Sequence, residues 1–113
     1  MRDLVWRQEE LLRIFLGHSD RLHGEPVSDL LLRKARDSGL RGGTVLQGTA
    51  GFGAKSVIHK SSLFRMSSDL PVVVEFVDSA QRIETFLSTA AELLSGGALI
   101  TREVIFVLDR GKK

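Results

Sequence analysis

The sequence has no cysteine and no tyrosine among its 113 residues. Without cysteine, the chain can form no disulfide, no thiolate metal site and no cysteine nucleophile. Without tyrosine, none of its loops can be regulated by modification of a phenolic hydroxyl. Chemistry or regulation must therefore come from other polar residues and from the backbone.

The sequence also has little net charge and no long apolar run. Its 16 Lys and Arg against 14 Asp and Glu leave a net charge of +2, which gives no support to a nucleic-acid partner. Apolar runs such as Leu70–Val77 are too short for a membrane span, and MRDLVWRQEE lacks the apolar segment of a secretion signal. We expect a cytoplasmic protein without direct membrane insertion. With 42% hydrophobic and 27% charged residues, the composition is that of an ordinary globular domain.

Apolar residues recur with helical spacing in two segments, and each segment ends at glycine. The first begins after Pro26, which suits the first turn of a helix, and ends at Gly39. The second follows Asp78 and Gln81, which resemble a capping box, and ends at Gly96–Gly97. The two stripes consist of Val27, Leu30, Leu31 and Ala35, and of Ile83, Phe86, Leu87, Ala90 and Leu94.

Four other segments have the composition of strands: Leu11–Gly17, the start of Gly43–Gly53, Leu70–Asp78 and Arg102–Asp109. Together with the helices they give the order β-α-β-β-α-β. This order predicts an α+β, ferredoxin-like fold, in which an antiparallel four-stranded sheet carries both helices on one face. We assign residues 11–109 to this domain, residues 1–10 to an N-terminal extension and residues 110–113 to a basic C-terminal tail.

The strands are apolar on both sides, although two helices can cover only one face of the sheet. Burial of one large apolar side chain contributes about 1.5–3 kcal/mol, so the uncovered face favours a second surface, most simply another copy of the chain. Arg13 and Glu75 are the lone charges expected on this face, and we expect them to pair. Its apolar residues are Leu11, Phe15, Val73, Val77, Ile105 and Val107.

The segment GTAGFGAKS is similar to two phosphate-binding motifs but satisfies neither. A P-loop requires lysine directly after its second glycine, whereas Ala54 separates Gly53 from Lys55. The dinucleotide fingerprint fails because Ser56 stands where its third glycine belongs. The glycines instead indicate a bend or a close backbone contact at the end of a strand, with exposed amides. Residues 53–69 then form a long connection, and such loops tend to be functional.

Two further classes of site have weaker support. His18, Asp20 and His23 supply metal-ligating atoms, but their spacing fits neither a helix nor a strand pair and no fourth ligand is evident. We interpret them as a solvated loop, and a metal-binding trimer that also uses His59 is the alternative function. The sequence has no GxSxG, no HExxH and no helix with paired carboxylates. We therefore expect no enzyme, no resident cofactor and no metal.

Several strings resemble those of a known family. They are LLRIFLGHSDRLHGEPV, GGTVLQGTAGFG and IHKSSLFRMSSDLPVVVEFVDS, together with the helix that carries Ile83 and Phe86. The resemblance covers about residues 11–108 and is to a bacterial and archaeal domain of unknown function described as PII-like. It implies a ferredoxin-like fold assembled as a homotrimer with inward-facing sheets, in agreement with the uncovered face inferred from the strands.

Relatives in the wider PII superfamily are cytoplasmic signalling trimers that bind adenine nucleotides between subunits. By that resemblance, the ligand-binding residues are Gly51, Phe52, Gly53, Lys55 and His59. The loop 53–69 would dock on a protein partner such as a membrane transporter or an enzyme, and an adenine nucleotide would be an effector. The chain departs from the PII pattern in SGGALITRE, which has two glycines but no lysine before the last strand. The absence of tyrosine excludes the tyrosine modification of some PII loops.

Overall fold

The computed structural model describes residues 4–52, 59–60 and 70–108, and for residues 59–60 it describes the backbone alone. Within these residues, one antiparallel sheet consists of β1 (Trp6–Gly17), β4 (Thr44–Gln47), β7 (Pro71–Asp78) and β8 (Leu99–Leu108). Their order across the sheet is β4-β7-β1-β8. Helix α1 (Val27–Asp37) precedes β4, and helix α2 (Ala80–Thr89) follows β7. The predicted α+β, ferredoxin-like fold is confirmed.

Short elements lie in the connections of the described chain. β2 (Arg21–Leu22) and β3 (Glu25–Pro26) form a small hairpin before α1. β5 (Ala50–Gly51) pairs with β6 (His59–Lys60) after β4. A 3-10 turn (Ala91–Leu94) follows α2. A membrane-spanning helix, which would have to be longer and more apolar, is not found within these residues.

The helix ends follow from local chemistry. Helix α1 starts directly after Pro26 and ends before Gly39, which has a φ of +89° and donates its N–H to the Arg36 carbonyl. Helix α2 is capped by Ser79, whose hydroxyl accepts the Arg82 N–H at 3.2 Å. The predicted capping box at Asp78 was therefore wrong by one residue, because Asp78 is buried and bonded elsewhere.

The core lies between the helices and one face of the sheet. Alternate residues of β1 and β7 point into it, and the predicted helical stripes pack against them. Phe76 of β7 and Phe86 of α2 meet edge to face, with ring centroids 5.1 Å apart, a geometry that aromatic pairs prefer. The core consists of Leu12, Ile14, Val27, Leu31, Ala35, Val72, Val74, Phe76, Ile83, Phe86 and Ala90.

The opposite face of the sheet, which we call the far face, is covered by neither helix. One row of directly opposed residues crosses all four strands and is apolar throughout; in sheet order it is Leu46, Val73, Phe15 and Leu99. The next row contains Arg13, whose guanidinium donates to Glu75 at 2.9 Å and to Glu103 at 3.3 Å. The expected pairing of Arg13 with Glu75 is confirmed within one chain. Glu103 is an additional far-face charge that the sequence analysis did not identify.

A second uncovered apolar surface lies on the helix side of β8. Val104 and Phe106 alternate with the far-face residues Ile105 and Val107, which would place them toward the core, but they are 56% and 65% exposed. The reason is geometrical, since β8 is an edge strand and α2 packs on its neighbour β1. Trp6, which lies opposite Leu108 in β1, is 58% exposed beside them. Uncovered apolar surface is therefore more extensive than the strand pattern predicted.

Strand β1 begins at Trp6, whereas the sequence indicated a start at Leu11. Residues 6–10 pair with Val104–Leu108 of β8 and so belong to the sheet rather than to an extension. The sequence pattern did not reveal this part of the strand, because a run of charged residues has no strand periodicity. In the structure Glu10 accepts a hydrogen bond from Arg102, which also bonds Glu84 of α2. The partners are far apart in sequence, so the pattern alone did not reveal them.

A buried ionic cluster closes the end of the sheet where β7 meets α2. Arg41 donates to Glu9 at 2.5 Å and approaches the Asp78 carboxylate at 3.5 Å, while its backbone N–H donates to Asp78 at 3.0 Å. The side chains of Glu9 and Asp78 are only 6% and 2% exposed. The Arg41 hydrogen bond, against the opposing effect of burial, holds the pKa of Glu9 below its usual value of 4.5. Arg41 thus pairs with both nearly buried carboxylates, and Glu9 accepts a further hydrogen bond from Arg7 at 3.2 Å.

Replacement of Arg41 should destabilise the fold. Arg41→Met leaves Glu9 and Asp78 without their shared cation, and we expect the free energy of unfolding in urea to fall by about 2 kcal/mol, less than for a fully buried pair because Arg41 is partly exposed. Arg36→Met is the matched control, since Arg36 forms its ion pair with its exposed neighbour Asp37; the change should cost less than about 0.5 kcal/mol. Equal losses in the two variants would contradict this role for the cluster.

The same cluster should make stability depend on pH. Because the folded-state pKa of Glu9 lies below 4.5, its stabilising contribution is fully present above the unfolded pKa and is lost as pH falls through the folded pKa. Urea unfolding between pH 6 and pH 3 should therefore show a steeper loss of stability in the native protein than in Arg41→Met, where this linkage is reduced. Parallel pH profiles would show that Glu9 contributes no such linkage.

Candidate functional site

The glycine-rich segment that follows β4 packs around Pro71, the first residue of β7. The Gly48 N–H donates to the Pro71 carbonyl at 2.7 Å. A Cβ atom would lie 2.7 Å from the Pro71 ring at Gly48 and 2.8 Å from it at Gly51. Both distances are shorter than real Cβ contacts allow, so this packing needs glycine at both positions. The sequence predicted that another group packs closely against these glycines. The structure confirms this, and the group is the Pro71 ring.

The predicted bend is also present, but not every amide is exposed as expected. The chain bends at Thr49 between β4 and β5. The Gly48 amide is used by Pro71 and is therefore not available to a ligand. Gly51 belongs to the two-residue ladder with β6. The sequence pattern indicated the bend correctly but overstated the number of unused backbone donors.

Three of the five candidate ligand-binding residues fall within the described chain. Gly51 lies directly opposite His59 in the β5–β6 ladder, so the structure brings these two positions together although they are eight positions apart in sequence. Phe52 follows immediately and is 68% exposed. Gly53, Lys55 and most of the loop 53–69 lie outside the described residues, as does the tail 110–113.

The alternative metal site is not assembled in the loop before α1. Asp20 accepts the Gly17 N–H at 2.9 Å, which makes it a turn residue. His23 and Gly24, with φ of +53° and +81°, form the tight turn between β2 and β3. Across the described residues, no three His, Asp or Glu side chains are grouped as metal ligands. The side chain of His59 lies outside that description.

A second glycine turn lies at the same end of the sheet as the glycine-rich segment. Gly97, with a φ of +94°, donates its N–H to the Leu94 carbonyl just before β8 begins. Register places Leu99 opposite Phe15 and Pro71 opposite Gly17, so both glycine segments are at one end. They are at opposite edges, however, because β7 and β1 lie between β4 and β8. Three strand spacings amount to about 14 Å.

Two residues important to this geometry were not identified as site residues from the sequence. Pro71 was included only as part of the strand Leu70–Asp78, yet it is the surface on which Gly48 and Gly51 pack. Gly97 was interpreted as a helix end and as one of two glycines before the last strand, where the segment departs from the PII pattern. A usable signal existed for Pro71, since a proline that opens a central strand must face a neighbouring element that needs no N–H from it. Its partner could not be named without the β4–β7 register.

Comparison with known proteins gives a consistent result. Residues 9–106 match the family DUF190, whose description is Uncharacterized ACR. A UPF0166 protein of Aquifex aeolicus (strain VF5) is 39% identical over 101 residues, which are 89% of this chain and 94% of that protein. A UPF0166 protein of Methanocaldococcus jannaschii is 31% identical over 91 residues, covering 80% of this chain and 83% of that protein.

Among solved structures, a close match in fold is CPII, a nitrogen regulatory PII-like protein from Thiomonas intermedia K12 bound to ADP, AMP and bicarbonate. The TM-score is 0.71, and the match covers 95% of this chain and 94% of that chain at 12% sequence identity. Identity this low shows the fold alone. The chain therefore belongs to the DUF190 (UPF0166) family, and it has the fold of PII-like proteins.

Proposed function

We propose that the protein is a cytoplasmic, non-enzymatic regulatory protein of the PII-like kind, which binds an adenine nucleotide between the subunits of a homotrimer. The observation that carries this proposal is the match in fold, over nearly the whole chain, to a PII-like protein bound to ADP and AMP. The family itself is described as uncharacterised, so the proposal depends on that fold and on the geometry of this chain.

The uncovered apolar surface supports self-association. Phe15, Leu46 and Leu99 of the far-face row are 37%, 49% and 65% exposed, and neither helix of the described residues lies on that side. Isolated exposed apolar residues are normal, but a continuous row across four strands is typical of an interaction surface. Beside the row, Arg13 already pairs with both Glu75 and Glu103, so the three charged groups leave only one net negative charge to be covered.

The separation of the two glycine segments supports a site between subunits. Within one chain, the β4 edge and the β8 edge are too far apart for one small ligand to use both segments fully. In a cyclic assembly, the β4 edge of one copy can adjoin the β8 edge of the next, because a heterologous contact joins different surfaces. The ligand would then contact Gly51, Phe52, Gly53, Lys55 and His59 of one copy and the Gly97 turn of its neighbour.

Regulation would follow from the position of the ligand at the start of residues 53–69. A nucleotide that binds one arrangement of this segment better than others shifts the population toward that arrangement. A protein partner, such as a membrane transporter or an enzyme, would then bind or release the segment. Lys55 supplies a point charge for phosphate, and His59 lies in register with Gly51 at the base of the segment.

Introduction of a charge on the far face should weaken self-association. Phe15→Asp places a carboxylate in the apolar row, and we expect the midpoint concentration for assembly to rise at least tenfold, since about 1.4 kcal/mol corresponds to a factor of ten and an apolar contact is lost. Sedimentation velocity over a concentration series measures this. Thr85→Asp, an exposed position on α2, carries the same charge change on the helix side and should leave assembly unchanged. A native protein that stays monomeric at micromolar concentration would contradict the proposal.

Calorimetric titration with AMP, ADP, ATP and cyclic AMP tests the ligand. At least one nucleotide should release or absorb heat on binding to the assembled protein. Lys55→Ala and His59→Ala should each weaken that binding by about tenfold, the effect of losing one hydrogen bond to a charged group. Lys34→Ala, on helix α1, removes the same charge as Lys55→Ala away from the site and is the control. No heat with any of the four nucleotides, on a folded oligomer, would exclude the nucleotide while leaving self-association untouched.

A further inference from the structure

A groove runs between the second half of α1 and the turn that leads into β4. Its volume is about 690 Å³, within the range of about 300–1,000 Å³ that small-molecule sites occupy. Leu32, Leu40 and Phe76 form its apolar base. The groove is far from the glycine-rich segment, because Gly43 precedes β4 and Gly48 follows it. Five residue steps of an extended strand separate the two glycines by about 16 Å.

Two glycines keep the groove open on the β4 side. Gly43 packs against the edge of the Phe76 ring, where a Cβ atom would lie only 2.6 Å from Phe76 Cε1. Gly42 has open space around its Cβ position, with nothing within 4 Å, and its backbone is not in the left-handed region. The chain therefore leaves room beside an aromatic ring at a place where most side chains would fill it.

The rim of the groove is lined by charged side chains of both signs. Three arginines, Arg33, Arg36 and Arg41, line it together with two carboxylates, Glu25 and Asp29. Each arginine already bonds a carboxylate: Arg33 bonds Glu25, Arg36 bonds Asp37, and Arg41 bonds Glu9. A guanidinium has five N–H donors, however, and these pairs use only part of them. The arginines are 50%, 75% and 43% exposed, so their remaining donors are accessible to a ligand.

We propose that this groove is a second ligand site, separate from the nucleotide site, and that it binds a small oxyanion with an apolar body. The carboxylate or phosphate head would accept hydrogen bonds from the arginine rim, chiefly Arg33 and Arg41. The apolar body would lie over Leu32 and Leu40, beside Gly42. Arginine suits this task because its planar donors match both kinds of oxyanion bidentately.

The site can be tested on the ¹⁵N-labelled full-length protein by NMR titration with phenyl phosphate and with benzoate. The amide signals of Gly42 and Gly43 should shift and saturate with at least one of these probes at millimolar concentrations. The tighter probe identifies the preferred head group. Benzyl alcohol, which lacks the charge, and inorganic phosphate, which lacks the ring, should each bind about tenfold more weakly. If inorganic phosphate bound as tightly as phenyl phosphate, the proposal that the ligand has an apolar body would be wrong.

Variants separate the groove from general charge effects. Arg33→Ala should weaken binding of the probe about tenfold, whereas Lys34→Ala, with the same charge change on the adjacent residue that does not line the groove, should change it less than twofold. Gly42→Leu should abolish binding by occupying the open space. Equal weakening by the two charge variants, or probe-induced shifts confined to Gly48–Phe52, would overturn the proposal. Circular dichroism of each variant establishes that it is folded.

Discussion

Two helices of 11 and 10 residues lie against one face of a four-stranded sheet, and no element of the described chain covers the other face. The rest of the structure depends on this incomplete coverage. An apolar row remains exposed across the far face, and the edge strand β8 remains uncovered on its helix side. A domain of this size can bury only one modest core. The surface that remains is what an oligomeric PII-like protein would use to assemble.

The sheet is secured differently at its two ends. At one end, charge holds the chain: Arg41 links β1 and β7 through Glu9 and Asp78, which are almost entirely buried. At the other end, close packing does so, because Gly48 and Gly51 admit the Pro71 ring. The carboxylates at the first end need a charged partner in order to be buried. The packing of Gly48 and Gly51 on Pro71 at the second end involves no polar side chain. The proposed nucleotide would bind at the end that is held by the packing of Gly48 and Gly51 on Pro71.

The sequence allowed prediction of the features that depend on local periodicity. The helical stripes, the alternation within β7 and the order of elements follow from side-chain spacing, and they led to the observed fold. Features that depend on long-range partners were missed. The first five residues of β1 were assigned to an extension, because their carboxylates pair with Arg41 and Arg102, which are remote in sequence. The exposure of Val104 and Phe106 depends on the edge position of β8, which a strand pattern does not contain.

The candidate sites show the same division. The glycines at 48 and 51 were correctly interpreted as a place of close approach, yet the proline that approaches them could be identified only from the register. Gly51 and His59 were grouped by resemblance, and the ladder places them opposite each other. No feature of the sequence indicated the arginine-lined groove. Arg33 and Arg36 are one turn apart on α1 and look like an ordinary solvated helix face, since nothing in the sequence places Gly42 and Gly43 beside them.

Strand β4 connects these two regions of the molecule. It has only four residues, and a glycine that tolerates no side chain stands directly beyond each end: Gly43 against Phe76 and Gly48 against Pro71. A shift of one residue in either direction would place Gln47 or Thr49 against the Pro71 ring and would turn Val45 away from the core. A shift that brings Thr44 to the place of Gly43 would also place a side chain against the Phe76 ring. The two glycine contacts therefore fix one register. A ligand in the groove and a ligand at the glycine-rich segment would each contact a residue next to the same short, firmly positioned edge strand, so β4 is the shortest physical path between the two proposed sites.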